Sequence, residues 1–259
     1  MNPPPRAAAP ASVPSPVQPR LSGKDRLILA LDVPSAGAAL DLVRRTGTEV
    51  GQLKVGLELF TAEGPALVRQ LRAAGGGVFL DLKLHDIPNT VAGAVRAAAG
   101  LGVRFLTLHA AGGESMLRAA AAARDQARES PSLAGAAPQL LGVTVLTSLD
   151  EAALAALDMP GPVEPRVVAW ARLCQRAGLD GVVCSVWEAQ AVRAACGPSF
   201  LIVTPGIRPA GAGAQDQARP ATAAAARRNG ADYLVVGRAI SQAPDPASAA
   251  RQLAAEAED

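Results

Sequence analysis

The stretch FLDLKLHDIPNTV, residues 79–91, joins a strand-like run to the start of a helix-like run and carries an acid, a base and a second acid near the junction. Because successive side chains of a strand point to opposite faces, Asp81 and Lys83 are expected to share one face. The opposite face takes the leucines of the run, Leu80, Leu82 and Leu84. A strand that leads directly into a helix is the repeating unit of an α/β fold.

Eight strand-like runs alternate along the chain with Ala-, Leu- and Arg-rich segments of helical periodicity, such as 35–45, 64–75 and 89–100. This alternation, over about 250 residues, is typical of a single (β/α)8 TIM barrel. We therefore predict an α/β fold with one barrel domain at 23–259. The predicted strands are 26–32, 52–59, 78–84, 103–110, 139–146, 181–185, 200–206 and 232–238.

An open, doubly wound sheet is the alternative arrangement of alternating strands and helices. Such a sheet would commonly carry the glycine pattern G-x-G-x-x-G in the turn after its first strand. The corresponding turn here reads LDVPSAG (31–37), which does not match that pattern. The sequence therefore favours the closed barrel.

Active sites of TIM barrels lie at the C-terminal ends of the strands. Those ends are rich in polar and charged residues, which would gather at one rim of the barrel. The rim residues are Asp32, Lys54, Asp81, Lys83, His109, Thr147, Ser148, Ser185, Pro205, Gly206, Gly237 and Arg238.

Two lysines and two aspartates, Lys54, Asp81, Lys83 and Asp86, are predicted to crowd one cavity at this rim. A simple ion pair that fixes the strand end is the alternative to a functional site. Burying four charges is costly unless they neutralise one another, and such clusters mark functional sites more often than cores. A lysine held between carboxylates stays charged and can donate a proton, which fits a decarboxylation in which the substrate carboxylate leaves as CO2.

The loop after the third strand carries Asp86 and leads into the next helix. Pro88 disfavours a helical conformation at Ile87, so the helix is expected to begin near Asn89. Asp86 or Asn89 could serve only as a cap for that helix, which is the alternative to a functional role.

Composition limits the classes of partner and cofactor. The formal net charge of +2 does not suggest binding to nucleic acid or to an anionic membrane, and no apolar run is long enough to span a bilayer. Three cysteines without a C-x-x-C spacing and two histidines give no sign of a disulfide framework or a metal site. His85 and His109 are expected to pack near the site, and a cytoplasmic location is expected by default.

The first residues of the chain differ in composition from the rest. Seven of the 21 prolines fall in 1–20, and there is no continuous apolar segment of the kind found in secretory signals. We predict that 1–22 is a disordered, Pro- and Ala-rich extension.

The segment DLKLHDIPNTV (81–91) resembles the D-x-K-x-x-D-I-P-N-T signature of the orotidine 5'-monophosphate decarboxylase family. The likeness extends in order over almost all of 26–240. The other matching segments are LALDVPS (29–35), LKVGLELF (53–60), VTVLTS (143–148), VTPGIRP (203–209) and ADYLVVGRAI (231–240). The single-domain bacterial branch of the family is the best match.

The resemblance implies a TIM barrel that converts orotidine 5'-phosphate to uridine 5'-phosphate (UMP) without a cofactor or metal, in the last step of de novo pyrimidine synthesis. It also implies a homodimer with active sites at the interface. Lys83 would donate a proton to pyrimidine C6, and Asp81 would lie close to the scissile carboxylate. Asp32 and Lys54 would contact the ribose hydroxyls and complete the charge network.

The resemblance assigns the remaining site residues to three loops. The segment after the third strand would reach the substrate across the dimer interface through Asp86, Ile87, Pro88, Asn89 and Thr90. Thr147 and Ser148 would lie near the pyrimidine or ribose, with Ser148 preferred for the pyrimidine edge; two loop-capping hydroxyls are the alternative. The phosphate would be bound by Arg208, Gln217, Gly237 and Arg238, under a closing loop at 210–216, and Pro205 would also contact the substrate.

Two other functions would also place charged residues at the rim of a barrel. A sugar-phosphate decarboxylase or hexulose-phosphate synthase related to this family would use Mg²⁺. The resemblance suggests that those enzymes have an acid where this chain has Lys54, and a lysine in that place argues against a hard cation. A non-catalytic phosphate-binding barrel would keep Gly237 and Arg238 but would not need four alternating charges.

Overall fold

A closed barrel of parallel strands forms the centre of the protein, as seen in a computed structural model that describes residues 21–131, 137–209 and 221–258. Within these ranges eight strands pair in sequence order, and the last strand closes on the first. The predicted (β/α)8 TIM barrel is confirmed. The strands are β1 (Leu27–Ala30), β2 (Gln52–Gly56), β3 (Gly77–Leu84), β4 (Phe105–His109), β5 (Gln139–Val143), β6 (Gly181–Val183), β7 (Leu201–Thr204) and β8 (Tyr233–Val236).

Helices cover the outside of the barrel, and within the same ranges none has the length and apolar character needed to cross a bilayer. A 3₁₀ turn, Ala110–Gly112, follows β4. The helices are α1 (Gly23–Arg26), α2 (Ala36–Thr46), α3 (Leu57–Ala73), α4 (Pro88–Gly100), α5 (Gly113–Glu129), α6 (Glu151–Ala156), α7 (Val163–Arg176), α8 (Val186–Cys196), α9 (Ala223–Arg228), α10 (Arg238–Ser241) and α11 (Pro246–Glu256).

Two helix starts are informative when compared with the predicted ones. Helix α3 begins at Leu57, seven residues before the predicted 64, and its two parts meet at Gly64, whose φ of 62° breaks the helical path just before Pro65. Helix α4 begins at Pro88, next to the predicted start near Asn89, because proline fits the first helical turn, where its missing N–H is not needed.

Two residues of the predicted extension, Leu21 and Ser22, contact the barrel domain. Ser22 caps α1 with its side chain, and Leu21 packs against the residues inside the barrel. The rest of the predicted extension, 1–20, lies outside the described residues.

Two apolar layers result from the alternation of side chains along the strands. The leucines of β3 face the helices, as predicted, while Phe79 points into the barrel with Phe105 and Tyr233. The ring centroids lie 5.8 Å apart for Phe79 and Phe105 and 5.0 Å apart for Phe105 and Tyr233. Arg104 donates a hydrogen bond of 2.7 Å to the Tyr233 hydroxyl. The three rings form an aromatic plug that fills the barrel near the N-terminal ends of the strands.

A repeated ion pair fixes the N-terminal ends of two strand pairs. Asp232, just before β8, accepts hydrogen bonds from the Ile202 backbone N–H at 2.8 Å and from Arg193 at 2.6 Å. Asp180, just before β6, accepts the Leu140 N–H at 2.8 Å and also pairs with a helix arginine, Arg124. In both places a carboxylate ties a helix to the start of a neighbouring strand.

Arg193 also holds the chain around this ion pair together. Its guanidinium donates to the backbone carbonyls of Gly197, Phe200 and Gly230 in addition to Asp232. Replacing it therefore leaves several partly buried acceptors and one carboxylate without their donor.

We expect Arg193→Met to lower the free energy of unfolding by about 2–4 kcal/mol, because a partly buried, multiply bonded ion pair is lost. Urea denaturation followed by circular dichroism measures this change. The matched control is Arg44→Met, whose ion pair with Asp41 is exposed, with an expected change below about 1 kcal/mol. Equal effects of the two substitutions would contradict this interpretation.

Candidate active site

A cavity of about 280 Å³ opens at the C-terminal ends of the strands. Four charged residues predicted from the sequence line it: Asp32, Lys54, Asp81 and Lys83. Strand pairing brings them together, since Ala30 of β1 is in register with Lys54 of β2, and Gly56 of β2 with Asp81 of β3.

The four side chains form a row of alternating charge. Lys54 Nζ lies 3.1 Å from Asp32 Oδ1 and 3.8 Å from Asp81 Oδ2. Lys83 Nζ lies 2.8 Å from the same Asp81 oxygen. The side chains of Lys54 and Asp81 are only 11% and 13% exposed, whereas that of Asp32 is 63% exposed. The inner charges are thus largely withdrawn from water, and each is compensated by a neighbour of opposite sign.

The backbone of Lys83 departs from strand geometry. Its φ is +50°, in the left-handed region that a lysine seldom adopts, and the pairing of β3 with β4 shifts register between Leu80 and Leu84. Such a conformation costs about 1–3 kcal/mol and is found most often at functional sites. The sequence predicted that Asp81 and Lys83 share a face, and they do meet, but through this local distortion rather than through regular alternation.

Thr107 on β4 is a site residue that the sequence reasoning missed. Its fully buried hydroxyl donates to Asp81 Oδ1 at 2.9 Å and accepts from the Lys83 backbone N–H at 2.9 Å. The available signal was a hydroxyl in the apolar run FLTLH (105–109), in the same strand phase as the inward-facing Phe105.

Gly56 leaves room for the row of charges. A Cβ atom at this position would lie 3.2 Å from Lys54 Nζ and 3.7 Å from Asp32 Oδ1. A side chain here would therefore press on the ammonium group. A smaller cavity of about 130 Å³ lies beside the row and is lined in part by Leu57 and Glu58.

The wall of the main cavity away from the charges is largely apolar and includes Phe79, Val143, Val183 and Val235. Cys184 belongs to the same wall. Burial raises the pKa of the Cys184 thiol well above its ordinary value, so the thiol is protonated at neutral pH. A planar, partly apolar ring could lie against this wall with its polar edge toward the charged residues.

Four of the residues predicted to bind the substrate also line the main cavity: Pro205, Arg208, Gly237 and Arg238. Arg208 is only 9% exposed, and its backbone N–H donates to the Ala221 carbonyl at 2.9 Å. Two arginines in the lining of one cavity suit an anionic group. Gln217, which is also predicted to bind phosphate, and the loop 210–216 lie outside the described residues.

The two hydroxyls after β5 are placed differently. Thr147 lines the main cavity, whereas Ser148 lines a neighbouring cavity of about 370 Å³ that also borders Trp187. The sequence preferred Ser148 for the pyrimidine edge, but the structure does not bring Ser148 to the lining of the main cavity. The conformation of the loop after β5 decides which hydroxyl lines the main cavity, because the alternation of side chains holds only within a strand.

The segment Asp86 to Thr90 is exposed to solvent and does not line the main cavity. Asp86 accepts a hydrogen bond of 2.6 Å from the Ile87 backbone N–H, and the Ile87 side chain is 67% exposed. Within one chain, the structure therefore keeps this segment apart from the four charges.

The two histidines pack against each other beside the site, with ring centroids 5.4 Å apart. They border an adjacent cavity that also contains Trp170. Burial, followed by the charges of His85 and Lys83, lowers the pKa of His109 below its ordinary value. His109 is therefore predominantly neutral at pH 7.

The described residues contain no cluster of three or more His, Cys, Asp or Glu side chains arranged to hold a metal ion. Between the carboxylates of Asp32 and Asp81, the positive group is the ammonium of Lys54.

Comparison with known proteins agrees with this geometry. The model of the orotidine 5'-phosphate decarboxylase / HUMPS family matches residues 25–253. Orotidine 5'-phosphate decarboxylase of Moorella thermoacetica is 55% identical over 240 residues, which cover 92% of this chain and 94% of that protein. The enzyme of the same name from Anaeromyxobacter dehalogenans is 56% identical over 231 residues, covering 89% of this chain and 97% of that protein.

Solved structures give the same result. The crystal structure of orotidine 5'-phosphate decarboxylase from Lactobacillus acidophilus superposes with a TM-score of 0.79 at 35% identity, covering 90% of this chain and 99% of that one. The family match spans most of the chain and includes every strand of the barrel. The chain therefore belongs to the orotidine 5'-phosphate decarboxylase / HUMPS family.

Proposed function

We propose that this protein decarboxylates orotidine 5'-phosphate to uridine 5'-phosphate and CO2 in pyrimidine nucleotide synthesis. The observation that carries the proposal is the row Asp32–Lys54–Asp81–Lys83, which joins two carboxylates and two ammonium groups at the mouth of the barrel. Family membership and the names of the similar proteins support the same reaction.

The first step breaks the bond between C6 of the pyrimidine and its carboxylate. In the proposed pose this carboxylate lies near Asp81, whose own charge disfavours a second anion there. Departure as neutral CO2 removes that repulsion and leaves the bonding electron pair on C6. The nearby ammonium groups of Lys54 and Lys83 then stabilise the negative charge that develops on the ring.

The second step is proton transfer from Lys83 Nζ to C6. An ammonium group carries three N–H donors, and the bond of 2.8 Å to Asp81 uses one of them. Another can point at the substrate, so that C6 gains the proton and the lysine becomes a neutral amine. Proton uptake from solvent restores the ammonium form before the next turnover.

The rest of the substrate would be held by groups on either side of the reacting bond. Asp32 and Lys54 would bind the ribose hydroxyls, and Thr147 would lie near the pyrimidine. Arg208 and Arg238 would pair with the phosphate, with Gly237 allowing close approach of the backbone. Binding of the remote phosphate can then help to organise the charged site.

The closest alternative is a related Mg²⁺-dependent enzyme, such as a sugar-phosphate decarboxylase or a hexulose-phosphate synthase. Lys54 Nζ sits within 3.1 Å and 3.8 Å of two carboxylates, so a fixed positive charge already occupies the place between those acids. A hard divalent cation requires oxygen ligands and would be repelled by this ammonium group. The donor set therefore favours the nucleotide decarboxylase.

The proposed function is tested by following the loss of orotidine 5'-phosphate absorbance with the purified protein. We expect turnover in the presence and in the absence of EDTA. Activity that is abolished by EDTA and restored by Mg²⁺ would support the metal-dependent alternative. Absence of any turnover would favour a non-catalytic phosphate-binding barrel.

Lys83→Ala should lower kcat by about 10²–10⁴-fold or more, because a positioned proton donor contributes at least that much. Steady-state kinetics measures the change, and circular dichroism checks that the fold is retained. Lys24→Ala is the matched control, since Lys24 is exposed on α1, before the first strand of the barrel. Near-normal turnover of a folded Lys83→Ala protein would rule out Lys83 as the donor.

Arg238→Ala should reduce kcat/KM by a factor that corresponds to about 2–4 kcal/mol, since a charge-assisted phosphate contact is lost. Comparing orotidine 5'-phosphate with orotidine isolates the phosphate contribution. The substitution should weaken use of the phosphorylated substrate and leave the poor activity on the nucleoside unchanged. An equal loss on both substrates would place Arg238 outside the phosphate site.

We further propose that the protein acts as a homodimer in which the segment 86–90 reaches the other subunit's site. Ile87 and Leu57, at the starts of neighbouring helices, are 67% and 55% exposed in the single chain. The small cavity beside Asp81 and Lys83 is bordered by Leu57 and would admit the partner's Asp86.

The cytoplasmic location and the lack of nucleic-acid partners stay predictions.

Mixing Asp86→Ala with Lys83→Ala subunits tests shared sites. If each site takes Lys83 from one chain and Asp86 from the other, each heterodimer regains one of its two native sites. About half of the dimers in a random equal mixture are heterodimers, so the mixture should recover about a quarter of wild-type activity. Each variant taken alone through the same unfolding and mixing provides the control. An inactive mixture with verified heterodimers would show that the sites are self-contained.

A further inference from the structure

The hydroxyl of Thr107 joins two parts of the site that the sequence alone leaves separate. It lies on β4 with no exposed surface, behind Asp81 and outside the lining of the main cavity. We infer that Thr107 is a positioning residue for the decarboxylation proposed above: its hydroxyl fixes both the proton donor Lys83 and the neighbouring carboxylate of Asp81.

The first part of the argument concerns the backbone of Lys83. At a φ of +50° the Lys83 N–H is turned out of the regular strand pattern, within the register shift between Leu80 and Leu84. A buried N–H needs an acceptor, and Thr107 Oγ1 supplies it at 2.9 Å. Without this acceptor, the strained backbone would be free to relax toward extended geometry, and the lysine side chain would change direction.

The second part concerns the carboxylate of Asp81. Thr107 Oγ1 donates to Oδ1 at 2.9 Å, while the ammonium groups of Lys83 and Lys54 approach Oδ2 at 2.8 Å and 3.8 Å. The two oxygens therefore have separate partners, which fixes the plane of the carboxylate. Because an ionised carboxylate can only accept, the hydroxyl proton points to Asp81, and an oxygen lone pair remains for the Lys83 N–H.

These two bonds require a hydroxyl, not merely a side chain of the right shape. Valine has nearly the same shape as threonine but can neither donate nor accept. Serine keeps the hydroxyl and loses only a methyl group. Substitutions at this position can therefore separate the effect of the hydrogen bonds from the effect of packing.

The test compares kcat and KM of the purified variants on orotidine 5'-phosphate. We expect Thr107→Val to lower kcat about 10- to 100-fold, the effect of leaving buried hydrogen-bond partners unpaired, with KM changed by less than about threefold because the phosphate contacts are remote. Thr107→Ser should keep at least about a third of wild-type kcat. A folded Thr107→Val protein with wild-type kcat, or a Thr107→Ser protein as impaired as Thr107→Val, would overturn the inference.

The matched control is Thr144→Val on the neighbouring strand end. Thr144 is also buried, and its hydroxyl donates to the Val183 carbonyl at 2.8 Å without touching the charged row. The Thr144→Val variant should lose about as much stability as Thr107→Val, while its kcat stays within about twofold of wild type. An equal loss of kcat in both variants would mean that any buried hydroxyl matters, and Thr107 would have no special role.

If Thr107→Val does not fold, the pair Thr107→Ser and Thr107→Ala gives the same comparison, because these variants differ only by the hydroxyl. A tenfold or larger difference in kcat between them supports the inference, and equal kcat values overturn it. Crystal structures provide a readout that does not depend on the reaction: loss of the hydroxyl should move Lys83 Nζ away from Asp81, and an unchanged pair would overturn the inference. Lack of turnover in the wild-type protein would instead refute the proposed function.

Discussion

The carboxylate of Asp81 is the group on which the arrangement of the site depends. It meets Lys83, Lys54 and Thr107 at once, and it is only 13% exposed. Withdrawing a charge from water costs several kcal/mol, which opposite charges and hydrogen bonds can offset only at close range. The row of four groups sums to zero formal charge, so removal of any inner member leaves a neighbour uncompensated. The same network that makes the charges tolerable also sets their directions.

The closed barrel makes this network possible because it fixes the relative heights of neighbouring strands. Lys54 and Asp81 approach each other because β1, β2 and β3 are adjacent and in parallel register. The aromatic plug of Phe79, Phe105 and Tyr233 fills the barrel below them. Water is thereby kept from the lower side of the site, which strengthens electrostatic interactions among the charges above.

The sequence predicts those parts of the site that follow from strand periodicity. Alternation places Lys54 and Asp81 at the rim, and the order of the strands makes them neighbours. Alternation could not predict the left-handed backbone of Lys83 or the contacts of the Thr107 hydroxyl, because both depend on the local register shift between β3 and β4. The cavity that Ser148 lines was beyond prediction for a similar reason: the conformation of the loop, not alternation, decides which hydroxyl after β5 lines the main cavity.

The two ends of the barrel use the same kinds of charged residue for different purposes. At the N-terminal end, Asp232 is saturated by a backbone N–H and by Arg193, which leaves it little capacity to bind anything else. At the C-terminal end, the lysines pair with carboxylates beside an open cavity, and Lys83 is held in a costly backbone conformation. The charges at the N-terminal end are thus used within the fold itself. The strain lies where a substrate must displace water and meet an already oriented ammonium group, so that little reorganisation is left for the reaction itself.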